Sequence, residues 1–85
     1  MPTHSHNFVE EYTGLVGFGL DRETDEATVR VYLQKFSDDA LMKVMLTRLG
    51  DEELAQAFDY ISGLLRKHLN EEEYHNLFLK EEHHD

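Results

Sequence analysis

Apolar positions along this chain recur at steps of three and four, the spacing of one helix face. The clearest run is Leu54, Phe58, Ile61, Leu65 and His68, widened by Ala57, Leu64 and Leu69. It predicts a long helix over 51–69, with Phe58 and Leu65 at the centre of the core. Upstream, Leu41, Met42, Val44, Met45, Leu46 and Leu49 predict a helix over 38–49. Val29, Tyr32, Leu33 and Phe36 predict one over 25–36, and Tyr74, Leu77 and Phe78 face inward on a last helix over 71–81. Near the start, Phe8, Tyr12, Leu15 and Val16 fit a first helix opening at Asn7, which Gly14, Gly17 and Gly19 weaken and end.

A second pattern competes in the first half. Val29, Val31 and Leu33 alternate with Arg30, Tyr32 and Gln34, and Val16, Phe18 and Leu20 alternate as well. Segments 15–20 and 27–35 therefore also read as a hairpin, or 15–20 as a short extended segment. The acidic start and the Lys35 end of 25–36 favour the helix.

The polar positions supply the punctuation. Thr24-Asp25-Glu26, Ser37-Asp38-Asp39, Gly50-Asp51-Glu52-Glu53 and Asn70-Glu71-Glu72-Glu73 each place a capping-type residue before acids. A cap oxygen accepts from free N–H groups of the first turn, and the acids meet the positive end of the helix dipole. Glu10, Glu53 and Glu73 stand at capping-box distance from Asn7, Gly50 and Asn70, although Gly50 has no side chain to complete its bond. Phe36 with Leu41, Leu49 with Leu54, and Leu69 with Tyr74 have the spacing of hydrophobic staples. Links of one or two residues then force sharp reversals between helices. The expected architecture is all-α: a compact bundle of four or five short helices around a long central helix. Residues 7–82 form one domain, between flexible tails at 1–6 and 83–85.

Composition changes this picture in one respect. With 18 acids against 8 bases, the formal net charge is −10. That opposes nucleic-acid binding, which needs neutralisation of phosphates. A DNA-mimicking decoy is disfavoured too, because acids 25, 26, 38, 39, 51–53 and 71–73 all sit in helix starts. Lys35, Arg48, Arg66, Lys67 and Lys80 lean towards helix ends, as the dipole prefers. The chain has no cysteine, no run approaching a membrane span of about 20 residues and no signal-like start. The expectation is a cytoplasmic chain without membrane contact.

Candidate chemistry is sparse. Glu72 and His75 make one Glu-x-x-His step, where di-iron bundles need two copies and further glutamates. His68 lies on the apolar stripe near a helix C-terminus and reads first as a core or interface histidine. His68, Glu72 and His75 are the metal-ligand candidates, and a solvated face is the simpler reading of Glu72 and His75. If Met1 is removed, His4 becomes the third residue and could complete a square-planar nitrogen site, although a plain tail is simpler. The glycines lack the phosphate-loop spacing, and Ser5, Ser37 and Ser62 offer no credible triad. No cofactor is expected, and the reading leans away from an enzyme.

One face is too wide. The apolar residues of 38–49 cover about 200° of the helix at about 100° per residue, whereas a surface helix needs a stripe of about 100° or more. Either this helix is sandwiched within the chain, or it is shared with a partner. Met42 and Leu46 are the expected interface residues, and Leu41 and Met45 the inward ones. The functional expectation is a non-enzymatic interaction or regulatory module, paired with itself as a homodimer or with another protein. The alternative is a metal-binding helical protein using histidines and carboxylates.

Overall fold

The computed structural model describes residues 6–81. Its elements are helices α1 (Asn7–Glu11), α2 (Arg22–Phe36), α3 (Asp39–Arg48), α4 (Asp51–His68) and α5 (Glu71–Glu73), the last continued by a π-helical turn, Tyr74–Phe78. The fold is all-α. Among the described residues there is no strand, so the hairpin reading of 15–35 falls. Contacts gather into two units, Met1–Arg48 and Leu49–Asp85. Of the expected tails, 1–6 and 83–85, residues 1–5 and 83–85 lie outside the described residues, whereas His6 sits against Ser37, Nε2 to Oγ 2.8 Å.

The first unit is organised by α2. The expected cap, Thr24, is already inside the helix, and Asp21 caps it. The Asp21 carboxylate accepts from the Thr24 N–H (2.8 Å) and the Thr24 hydroxyl (3.1 Å). The backbone bond first, and the hydroxyl second, hold the Asp21 carboxyl below its ordinary range. The next boundary moves by one residue. Ser37 closes α2, donating its hydroxyl to the Gln34 carbonyl, and Asp38 caps α3 by accepting from Ala40 and Leu41 N–H. Aspartate outcompetes the neighbouring hydroxyl residue in both places because a charged acceptor bonds amides more strongly.

Helix α1 is only five residues long, too short to stand alone. Asn7 is its first residue rather than its cap, and His6 makes no side-chain cap bond. The Val9 N–H donates instead to Gln34 Oε1 of α2, at 2.9 Å. Phe8 lies beneath the Arg30 guanidinium, 4.5 Å from ring centroid to carbon, and stacks on Tyr12. These contacts run α1 antiparallel to α2. Leu15 and Val16, expected on this helix, lie beyond its end at Glu11.

The segment between α1 and α2 is fastened to α2. The Thr28 hydroxyl accepts from Gly17 N–H (3.0 Å) and donates to the Gly17 carbonyl (3.2 Å), and Asp25 accepts from Gly19 N–H (2.8 Å). Gly19 has φ +94°, a conformation that suits glycine. A side chain at Gly14 would displace the Tyr12 ring, which folds over it and donates its hydroxyl to the Leu15 carbonyl. Thr28 and Val31, both on α2, are the only described residues that are buried.

The second unit holds α4, the longest helix at 18 residues. Its start is half a capping box: Glu53 Oε1 accepts from Gly50 N–H at 2.9 Å. At α5 the box is complete, with Asn70 accepting from Glu73 N–H (2.8 Å) and Glu73 from Asn70 N–H (2.9 Å). The expected helix over 71–81 then widens: Leu79 N–H reaches the Tyr74 carbonyl, five residues back. Lys80 adopts φ +59°, and Glu81 N–H closes on the His75 carbonyl. Tyr74 is half-buried and stacks on Phe78, but Leu77 and Phe78 are exposed rather than inward.

The expectation that fails here is the central helix. Helix α4 contains no buried residue, and Phe58 is 70% exposed. An amphipathic sequence shows that a helix has an apolar face; it does not say what covers that face.

Candidate functional site

In place of a cleft, both units carry uncovered apolar faces. On the first unit the fastened segment 12–21 exposes Leu15, Val16, Phe18 and Leu20, with Phe18 at 74%. Gly17, Phe18, Thr28, Val29, Tyr32 and Leu33 line one shallow groove there. Charged groups rim the neighbouring side: Arg22 donates to Glu26 at 2.6 Å, both side chains exposed. That bond pushes the Arg22 guanidinium upward from its already high value. A pair this exposed adds little stability.

Helix α3 buries no residue. Leu46 is 46% exposed, and Met42 is half-buried. Leu41 and Met45 were expected to face inward; Met45 is half-buried, but Leu41 is 39% exposed. The reason lies on α2, where Val31 and Phe36 line a groove with Leu41 and take up only part of its surface.

On the second unit, Phe58, Leu65, Leu69 and Tyr74 line a groove of about 460 Å³ between α4 and α5, with Arg66 and Glu71 at its edge. The metal-ligand candidates do not converge on a third donor. His68 is exposed at the end of α4, Glu72 is exposed on α5, and half-buried His75 puts Nδ1 2.5 Å from Glu81 Oε1. Among the described residues no three histidine, aspartate or glutamate side chains form a group that could hold a metal ion. His4, His83, His84 and Ser5 lie outside the described residues.

No family model, curated protein or solved structure matches this chain. Sequence reasoning missed the exposure of the run 15–20, because neither its helical spacing nor its alternation says what covers it. It also missed Glu81 as the partner of His75, six residues away across a π turn that periodicity does not show. No described helix is long and apolar enough to cross a membrane.

Proposed function

We propose that this chain is a small helical interaction module with no reaction of its own, working as a dimer or bound to a larger protein. One observation carries the reading: large apolar side chains stand uncovered on both units, while only Thr28 and Val31 are buried among the described residues. Patches of this kind mark contact surfaces. The acids have a structural use as caps and first-turn residues, which leaves few for acid–base work. A cysteine-free composition fits a cytoplasmic setting, and the net charge of −10 disfavours nucleic acid as a partner.

On the first unit the contact surface is α3, with Met42 and Leu46 as its anchors and methionine supplying an adaptable side chain. The double variant Met42→Glu/Leu46→Glu tests it. Circular dichroism should show nearly unchanged helix content, and light scattering should show loss of self-association or of the partner complex, since unpaired charge would be buried. Unfolding of the double variant would instead make these side chains core, and the surface would be lost from the proposal.

A further inference from the structure

Helix α4 spans about 27 Å at 1.5 Å per residue. Leu54, Phe58, Ile61 and Leu65 follow one another at steps of four, three and four, which is the seam of a two-stranded helical pair. Phe58 is 70% and Ile61 54% exposed, and the groove with α5 reaches the seam only at Phe58 and half-buried Leu65, its other lining on this side being Ser62, Arg66 and Leu69. We propose that the α4 seam pairs with the α4 seam of a second copy, antiparallel, about a two-fold axis passing between positions 59 and 60. This pairing rests on the interaction reading above.

Two independent features point to a second copy in this orientation. The first is register. Around that axis Leu54 faces the second copy's Leu65, and Phe58 faces its Ile61, with the reverse contacts generated by symmetry. Every seam residue meets an apolar one, as an isologous interface requires. The second is charge. The same register lays the start of one α4, Asp51, Glu52 and Glu53, alongside the end of the other, Arg66, Lys67 and His68, at both ends of the pair. The helix dipoles then also oppose. A parallel pair would gather six acids at one end and both basic ends at the other. The overall charge of −10 does not forbid this, because like charges beyond about 8 Å are largely screened at physiological salt, whereas the opposed ends lie close. A contact one helix long makes the dimer reversible and concentration-dependent.

Sedimentation equilibrium on the full chain should show mass rising from 10.0 kDa towards twice that value with concentration. Phe58→Glu should raise the dissociation constant at least about tenfold. Orientation is read with Leu54→Cys and Leu65→Cys, each the sole cysteine in its chain. Oxidising a mixture of the two variants should give the mixed disulfide and little of either symmetric one. In the antiparallel pair two copies of position 54 are about 16 Å apart along the axis, beyond disulfide reach of about 7 Å. The cysteine experiment retains Phe58, so it decides even if Phe58→Glu unfolds. Symmetric disulfides alone would overturn the proposal. So would a dimer indifferent to Phe58→Glu but broken by Met42→Glu/Leu46→Glu, which would leave the interaction reading standing on α3. A monomer at every concentration also overturns it, leaving only a module for another protein. A monomer that Phe58→Glu strongly destabilises would show the face covered within the chain.

Discussion

Asp21, Asp38 and Asn70 do the same work at three helix starts: one side-chain oxygen accepts from an otherwise free amide of the first turn. Removing such a cap costs about 1 kcal/mol. Asp38→Ala and Asn70→Ala should therefore each lower stability by about that amount in urea denaturation. Ser37→Ala should leave the start of α3 intact, because the Ser37 hydroxyl serves Gln34 and His6 instead. Equal losses at Ser37 and Asp38 would return the cap to Ser37. Asp21 carries a pH signature as well. Its carboxyl is held below the ordinary value of 3.8, so its charged form favours the folded state. That contribution is present above pH 3.8 and fades as pH falls through the lower folded value. Asp21→Asn keeps an acceptor but has nothing to titrate, so the stability difference between wild type and variant should shrink as pH falls below about 4. A difference independent of pH in thermal melts would show that the Asp21 charge plays no part.

Elements in the first unit hold together through side chains distant in sequence. Gln34 caps α1 from 25 residues away, and Thr28 bonds both backbone groups of Gly17 from 11 residues away. Thr28→Val keeps the shape of a buried side chain and removes both bonds. Leaving part-buried backbone groups unpaired costs about 1–3 kcal/mol, so we expect a loss in that range, with faster amide exchange at Gly17. Unchanged exchange there would mean that segment 12–21 is held by something else. Neither link was legible in the sequence. Thr28 sits in a helical run like any other residue, and Gln34 reads as a solvated position. The π turn at Tyr74–Phe78 was equally hidden, because one extra residue in a turn shifts the apolar face without leaving a compositional mark.

For the whole molecule, burial sets how mutations rank. Val31, at 6% exposure, should lose about 2 kcal/mol on truncation to alanine, from lost burial and the cavity left behind. Phe58→Ala should cost less than about 1 kcal/mol in dilute solution, because its side chain is already in water there. Sequence periodicity alone would rank these two the other way round. Thermal melts of both variants at low concentration give the order, and a large loss for Phe58→Ala alone would restore α4 as a core helix. Association would add a further sign: the melting temperature should rise with protein concentration.

The sequence by itself determined what is local. It determined the all-α class, the presence of short links around 37, 50 and 70, the Asn70 box, the Glu53 bond to Gly50 and the apolar stripe of α4. All of these depend on groups within one or two helical turns, so residue spacing suffices to read them. Only the tertiary structure decided what caps α1 and which faces stay in solvent. Those outcomes depend on which groups meet in space, and a helix pattern records a face without recording what it meets.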